Sequence, residues 1–428
     1  MQSRLRWDHR VIAMPLQHGS NPKLRPVEAF SMQIKGENMT CLRDPQGFAE
    51  QPLFLNGPQA FLVSLMDGTN SLRDIQAGFF RQTAELLPIE VLENLAKQLD
   101  DHHYLDSPSF RIYYDSLVQE FLRAPTRPAL HAGSAYEGDV NALRSQIEGF
   151  FTSPGGPGLI STPDLTRPLR GLISPHIDFH RGGPAYAHAY KALAEHPGAD
   201  RFIIFGTCHS PMEMRFALTE KDYETPLGTA TADGEFIRRL AAKLGGDHDY
   251  FQDEFAHRAE HSIEFQMVCL RYVLGEQREF KVVPILVGSF EDIYVAGKTA
   301  AQDPGIAGMI TAVKETIAEL PARYCVVAGA DLAHVGRHFG DLTGPSQTSL
   351  EEVAQEDRKF LELVEGGDAE GIFRFIAAER DRRRVCGYPA IYMALRCLEN
   401  PRGRLLDYRQ WADLQSGAAV TFASVALF

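Results

Sequence analysis

Three histidines in this 428-residue chain each follow a short apolar run that is typical of a buried β-strand. The runs and their histidines are 172–174 with His176, 202–205 with His209, and 326–329 with His334. If the runs are parallel neighbours, their carboxyl ends meet at one edge of a sheet and bring the imidazoles together. Neutral imidazoles bind borderline metal ions and transfer protons near neutral pH. The pattern therefore predicts a metal site or an acid–base site at this edge.

A second cluster, at residues 260–264, contains Glu260, His261 and Glu264. It opens a predicted helix, where acidic side chains are favourable against the helix dipole without any further role. A charged helix start is thus one interpretation. The other is that these side chains support the histidines or contact a substrate. We expect the nearby His257 to face solvent.

The third candidate is Cys386, which precedes Gly387 at a predicted helix start, where backbone amides favour a thiolate. A buried, unreactive thiol is the alternative. The six cysteines form no Cys-x-x-Cys pair, so they predict neither a disulfide framework nor a zinc ribbon. A short basic run at residues 380–384 precedes Cys386. We expect this run to be a solvated loop, with an anion site as the alternative.

The composition of the chain excludes several classes of function. A formal charge of −13 disfavours binding to nucleic acid or to anionic membranes. No apolar run approaches the roughly 20 residues of a membrane helix, and residues 1–15 lack the apolar core of a signal peptide. Together these features predict a cytoplasmic protein without a membrane span.

Two regions of regular structure must position the candidate residues. From residue 169 onward strands alternate with helices, which predicts an α/β fold with a mainly parallel sheet sandwiched by helices. Between residues 25 and 106, extended segments around Gly36 precede three helices, the second capped by Ser71. This order predicts a small α+β domain of the winged-helix type. The predicted domains are 25–106 and 126–428, joined by a linker at 107–125.

Seven ordered motif blocks in the second domain resemble the Memo family, which includes the bacterial AmmeMemoRadiSam system protein B. The blocks are 131–136 (HAGSAY), 175–190 (PHIDFHRGGPAYAHAY), 205–218 (FGTCH…AL), 223–228 with 260–264 (YETPLG and EHSIE), 284–288 (PILVG), 331–339 (DLAHVGRHF) and 385–387 (VCG). This resemblance implies a fold similar to the class III extradiol dioxygenases, which bind non-haem iron.

The resemblance also implies roles for individual residues. The metal ligands would be His176, His209 and Cys386, with the cysteine in the position of a glutamate. His334 would act as the acid–base group, with Asp331 close by. A thiolate in place of a carboxylate softens the site, which favours copper(I) or zinc and tolerates iron(II). Taken with the resemblance, iron or copper is the expected metal and zinc remains possible.

The sequence departs from the family pattern near the expected pocket. Residues 177–179 (Ile-Asp-Phe) replace an Ala-Gly-aromatic triplet, and residues 207–208 (Thr-Cys) replace Pro-Ser or Pro-Asn. A substrate would enter over Asp178 and Glu264. These departures affect the identity of the substrate more than the binding of metal.

The N-terminal region resembles the PqqD-like domains, which recognise peptides in modified-peptide pathways. The matching segments are 55–57 (LNG), 65–68 (LMDG), 71–75 (SLRDI) and 103–106 (HYLD). A domain of this kind implies a peptide substrate or partner.

Three functions remain open from the sequence. The first is an iron- or copper-dependent redox enzyme that acts on a small molecule or peptide in a radical-SAM-associated pathway. Its partners would be radical-SAM and other proteins of that system. The second is a non-catalytic metal- or peptide-binding protein. The third is a zinc hydrolase in which His334 activates a metal-bound water.

Overall fold

The computed structural model of the chain describes residues 21–49, 51–245, 249–275, 278–414 and 416–428. The chain divides into two units, Met1–Glu120 and Phe121–Phe428, and helix α4 (Pro108–Arg123) includes the boundary. Each unit has its own apolar core. Within the described ranges no helix combines the length and the apolarity needed to cross a membrane.

The N-terminal unit has a three-stranded antiparallel sheet followed by helices. Its elements are β1 (Glu28–Ile34), β2 (Glu37–Arg43), β3 (Leu53–Leu55), α1 (Gly57–Ser64), α2 (Leu72–Thr83) and α3 (Ile89–Asp101). Lys35 and Gly36 turn the β1–β2 hairpin with positive φ angles. Ser71 caps α2 as predicted, since its side chain accepts from Asp74 N. The unit is α+β, and its assignment to the winged-helix type stays a prediction.

The C-terminal unit is built on a large sheet. Its strands are β4 (Thr126–Arg127), β5 (Gly171–Ser174), β6 (Arg201–Thr207), β7 (Phe216–Leu218), β8 (Asp222–Tyr223), β9 (Thr231–Ala232), β10 (Lys281–Val287), β11 (Tyr324–Gly329), β12 (Asp331–Val335), β13 (Gly403–Asp413) and β14 (Ala418–Leu427). Of the strands in the described residues, nine join this sheet, with β12-β14-β5-β11-β6-β10-β7 as the main order. The central strands β5, β11, β6 and β10 are parallel, as predicted.

Helices cover both faces of this sheet. They are α5 (Val140–Thr152), α6 (Phe179–Glu195), α7 (Gly234–Leu244), α8 (His261–Leu274), α9 (Glu291–Val295), α10 (Pro304–Glu319), α11 (Gln347–Glu365), α12 (Ala369–Glu379) and α13 (Tyr388–Cys397). Because side chains alternate along a strand, Phe202 and Ile204 of β6 enter one core while Ile203 and Phe205 enter the other. A strand that is buried on both faces appears in the sequence as a continuous apolar run. This is why these strands could be predicted.

The sheet differs from the prediction on one side. Strand β14 runs antiparallel to β5, β12 and β13, so the parallel centre has an antiparallel flank. His334 follows β11 in the chain, as the sequence predicts, but it does not lie in a loop at the end of that strand. Asp331–Val335 forms a separate antiparallel strand, β12, whose register against β14 shifts between Asp331 and His334. Strand β12 could not be recognised from the sequence because the bulge interrupts the alternation of side chains that marks a strand.

Candidate metal centre

The carboxyl ends of β5 and β6 bring two of the predicted ligands together. His176 follows β5 and His209 follows β6, and both strands pair in parallel with β11, which lies between them. The two imidazole centroids lie 5.0 Å apart with the rings nearly perpendicular. Cys386 comes from the loop before α13, and its Sγ lies 3.4 Å from His176 Nε2. One donor atom from each of these three residues lies within 4.8 Å of the others.

The backbone and a carboxylate fix the ring of His176. Its Nδ1 lies 3.0 Å from the carbonyl oxygen of Gly329, so the Nδ1–H donates there and Nε2 is left as the free nitrogen. Its backbone N–H donates to Asp331 Oδ1 at 2.9 Å. The side chain is 2% exposed, and burial together with the nearby His209 lowers its pKa to about 3. His176 is therefore neutral, as a metal ligand must be.

Glu260 holds His209 in a similar way. Its two carboxylate oxygens each lie 3.1 Å from His209 Nδ1, and Oε2 accepts from the backbone N–H of His209 at 2.8 Å. Burial raises the pKa of Glu260, but His209 and His261 outweigh burial and hold it well below its ordinary value. Glu260 is also the N-cap of α8, where it accepts from Ser262 N at 3.0 Å. The carboxylate thus directs the Nε2 atom of His209 toward the other two donors.

Close packing of α8 on the sheet makes this contact possible. A Cβ atom on Gly206 would lie 2.4 Å from the Cγ1 atom of Ile263, so only glycine allows the helix to approach so closely. Ser262 Oγ donates to the carbonyl oxygen of Thr207 at 2.7 Å, which pins the start of the helix beside the end of β6. The sequence cluster at 260–264 is therefore more than a charged helix start, because its Glu260 supports His209.

The thiol of Cys386 differs from the sequence expectation. Burial, with a further contribution from Asp331, raises its pKa well above the ordinary value, whereas a helix start was expected to lower it. The adjacent amides are already committed, since Gly387 N donates to Asp331 O at 3.2 Å and Tyr388 N donates to Val385 O at 3.3 Å. The protein surroundings alone therefore favour the protonated thiol. A cation at the three donors would supply the charge that favours the thiolate.

Strand β12 carries Asp331 and His334, which lie beside the three donor residues. Asp331 is 2% exposed, its Oδ2 lies 3.7 Å from His176 Nε2, and burial raises its pKa to about 6. His334 is partly buried, its Nδ1 lies 3.1 Å from the carbonyl oxygen of Leu332, and burial lowers its pKa to about 4. The hydrogen bond assigns the proton to Nδ1 and leaves Nε2 free to accept a proton.

His261, another predicted accessory residue, packs against two of the candidate ligands. Its ring stacks on that of His209 at 4.9 Å and lies 5.4 Å from that of His176. Its Nδ1 lies 3.3 Å from Glu260 Oε1, and its side chain is 31% exposed. Asp178 instead caps α6 and pairs with Arg181, with Oδ2 3.0 Å from Nε.

Glu264 lies in a buried network rather than at an open surface. It is fully buried, pairs with the equally buried Arg127, and accepts hydrogen bonds from the hydroxyl of Tyr136 and from His131 N. Arg127 also donates to the carbonyl oxygens of His257 and Glu260 at 3.0 Å each. The network joins the start of this unit to the helix that carries Glu260.

Sequence reasoning missed part of this network. Arg127 falls within the predicted domain 126–428 but was not singled out, and His257 was expected to face solvent. That expectation is wrong: His257 has no exposed surface, its Nδ1 lies 2.8 Å from the Tyr223 hydroxyl, and its Nε2 lies 3.1 Å from the carbonyl oxygen of Ala217. A lone polar residue carries no periodic signal, and only the flanking apolar residues Phe255 and Ala256 hinted at burial.

Comparison with known proteins agrees with the motif blocks. Residues 127–426 match the sequence model of a family described as Memo-like protein. A MEMO1 family protein of Aquifex aeolicus is 29% identical over 405 residues, which cover 94% of this chain and 99% of the relative. A second, from Methanopyrus kandleri, is 31% identical over 66% of this chain and 91% of the relative.

A third relative, from Thermus thermophilus, is 27% identical over 85% of this chain and 100% of its own length. The alignments with the Aquifex and Thermus proteins extend beyond the 300 residues of the matched family region into the N-terminal part of this chain. The family match covers well over half of the chain and includes His176, His209 and Cys386. The chain belongs to the Memo family.

Proposed function

We propose that the C-terminal unit binds a redox-active metal ion, iron or copper, and serves an oxidation or reduction of a small or peptide-borne substrate. The ligands would be His176 Nε2, His209 Nε2 and Cys386 Sγ. The observation that carries the proposal is the convergence of these three atoms within 4.8 Å at the carboxyl edge of the sheet.

The chemistry of the donors supports this choice of metal. Two imidazoles and a thiolate form a soft to borderline set that suits copper, iron and zinc better than magnesium or calcium. In each imidazole the other ring nitrogen, Nδ1, already donates its N–H to an acceptor. The acceptor is the carbonyl oxygen of Gly329 for His176 and the carboxylate of Glu260 for His209. Such supported histidines are typical of metal sites because the outer hydrogen bond fixes the tautomer and raises ligand basicity. When bound, the metal would supply electron transfer and polarise a coordinated substrate group.

The proposed work of the protein side chains is to hold and move protons. His334 Nε2 would accept a proton from a substrate bound beside the ligands, because the carbonyl of Leu332 already holds its Nδ1–H. Asp331, whose pKa burial raises to about 6, would share that proton near neutral pH. His261 would contact the substrate from the opposite element, since its ring is partly exposed and stacks on His209.

The wider context is also a proposal. The resemblance of the motif blocks to AmmeMemoRadiSam system protein B supports a place beside a radical-SAM protein. The N-terminal unit would bind the peptide partner. In its described residues β1 pairs with β2 alone, so its other edge presents backbone groups that an extended peptide can pair with.

Metal content tests the central proposal. The wild type and the variants His176→Ala, His209→Ala and Cys386→Ser would be purified without oxygen and analysed by inductively coupled plasma mass spectrometry. Cys208→Ser and His188→Ala are matched controls, being a neighbouring cysteine and a histidine on the exposed side of α6. We expect iron or copper in the wild type and the controls and a loss in the three ligand variants.

Two results would contradict the proposal. Equal metal content in all six proteins would mean that the ligands are wrong. Tight zinc with no oxygen uptake and no redox transition would contradict the redox role and favour the hydrolase.

A further inference from the structure

One buried carboxylate, Asp357, connects the two segments that carry Cys386 and His334. It lies on α11, is 1% exposed, and is remote from both residues in sequence. Its Oδ1 pairs with the buried guanidinium of Arg383, and its Oδ2 accepts from Thr421 Oγ1 at 2.6 Å and from the Tyr408 hydroxyl at 2.9 Å. The proposed metal chemistry uses none of these groups.

The branch through Thr421 leads to β12. While Thr421 Oγ1 donates to Asp357, it accepts from the backbone N–H of Ala333 at 2.9 Å. Ala333 lies inside the register shift between Asp331 and His334, where β12 lacks regular pairing with β14. A bulge of this kind redirects the side chains beside it, so it needs a fixed partner for its backbone. Thr421, oriented by Asp357, supplies that partner.

The branch through Arg383 leads to the loop that carries Cys386. The carbonyl oxygen of Arg383 accepts from His334 N at 2.7 Å, and Arg384 Nε donates to His334 O at 3.0 Å. The loop thus pairs with both backbone groups of His334 through Arg383 and Arg384, which lie three and two residues before Cys386. The expected solvated arginine run is wrong for Arg383, which is 2% exposed and also binds Glu379.

The backbone of this loop is held in an unfavourable conformation. Arg380, Asp381 and Arg384 have φ angles of +52°, +46° and +52°. Residues other than glycine adopt such angles only at a cost in conformational free energy, and only where the surroundings hold them. Arg383 lies between two of these positions, and its guanidinium is fixed by Asp357 and Glu379. The ion pair between Asp357 and Arg383 therefore stabilises the backbone conformation of this loop, in addition to its role in packing.

We propose that Asp357 is a positioning residue of the metal centre. Through Arg383 it sets the loop that presents Cys386, and through Thr421 it sets the bulge that presents His334. The inference rests on the proposed function, since it assumes that Cys386 is a ligand. On this proposal Asp357 sets the distance between the thiol of Cys386 and the imidazoles of His176 and His209, although it contacts none of the three.

Cobalt(II) is a suitable probe because a thiolate ligand gives it a near-ultraviolet charge-transfer band. The holoprotein, stripped with a chelator and titrated with Co²⁺, would be compared with Asp357→Asn, Thr421→Val and the conservative Thr421→Ser. Asp233→Asn is the matched control: Asp233 is 4% exposed, caps α7 and binds Arg201 at the amino end of β6, the end opposite His209.

We expect Asp357→Asn and Thr421→Val to bind Co²⁺ about 10- to 100-fold more weakly with a shifted or weakened thiolate band, as for other residues that support ligands. Thr421→Ser should restore both the affinity and the band. Asp233→Asn should lower the melting temperature and leave the band unchanged. A purely structural role for Asp357 would change only the melting temperature.

The outcomes separate the two proposals. A wild-type band with unchanged affinity and band in Thr421→Val and Asp357→Asn would overturn the positioning role and leave the ligand set intact. A wild type that binds Co²⁺ without a thiolate band, or not at all, would overturn the ligand set and with it the positioning role. If Asp357→Asn fails to fold, the pair Thr421→Val and Thr421→Ser decides.

Discussion

The Sγ atom of Cys386 lies 3.4 Å from Nε2 of His176, although 210 residues separate them in the chain. His176 is fixed at the end of β5, whereas Cys386 belongs to a loop anchored through Arg383. Of the three donors, Cys386 is therefore the one that can be replaced by another residue with the least effect on the sheet. Replacing it tests what the sulfur contributes.

We predict that Cys386→Asp changes the metal preference of the site. A carboxylate is a harder donor than a thiolate, so copper(I) affinity should fall by at least about tenfold while iron(II) binding persists. Competition titrations against chromogenic chelators under anaerobic conditions measure both. Cys386→Ser is the control, because it removes the donor and should weaken both metals. Equal loss of copper(I) and iron(II) in Cys386→Asp would show that the site does not discriminate through this residue.

We predict that His334→Asn keeps the metal. His334 lies on β12 with its Nδ1 held by the Leu332 carbonyl, and it is absent from the group of three converging donors. Metal content per chain should equal that of the wild type, whereas His176→Ala should lose its metal. Loss of metal in His334→Asn to the same degree would make His334 a ligand and remove it from the acid–base role.

The sequence predicted for a physical reason that His176 and His209, two of the proposed ligands, lie at one edge of the sheet. His176 and His209 follow strands buried on both faces, and continuous apolar runs are visible without any knowledge of tertiary structure. Cys386 has no such signal, because it lies in the loop between α12 and α13, where no periodic pattern marks a position. It was identified through the Memo resemblance, and the comparisons confirm the family.

The polar groups that support the site could not be predicted. Arg127, His257 and Asp357 are buried through partners 26 to 137 residues away, for example Arg127 with Glu264 and Asp357 with Arg383. A single charged residue looks the same in sequence whether it is solvated or paired. Strand β12 was missed because its bulge interrupts the alternation that marks a strand.

We predict that Arg127→Met destabilises the C-terminal unit by about 3–5 kcal/mol, because it leaves the fully buried Glu264 without its counter-charge. The double variant Arg127→Met with Glu264→Gln should recover part of this loss, since the amide needs no cation. Urea unfolding of the two single variants and the double variant completes the cycle. Additive effects would mean that the two side chains do not interact in the folded protein.

We predict that His257, which is neutral in the folded protein, makes the stability of the protein depend on pH. Burial lowers its pKa to about 3, although its Nε2 lies within hydrogen-bond distance of the Ala217 carbonyl. In the unfolded chain the pKa returns to about 6.5. As the pH falls below 6.5 the unfolded state therefore takes up a proton that the folded state does not. The stability contributed by His257 is complete above pH 6.5 and is lost progressively between pH 6.5 and 3.

At pH 5 this difference amounts to about 2 kcal/mol, since each pKa unit corresponds to roughly 1.4 kcal/mol. We expect His257→Gln, whose amide can still bond Tyr223 and the Ala217 carbonyl, to lower stability at pH 7 but to flatten its fall toward pH 5 by that amount. Urea unfolding of both proteins at pH 7, 6 and 5, in the presence of a chelator, measures the difference in slope. The other buried histidines cancel in the comparison because both proteins contain them. Parallel pH profiles would mean that His257 is protonated in the folded state or stays neutral in the unfolded one.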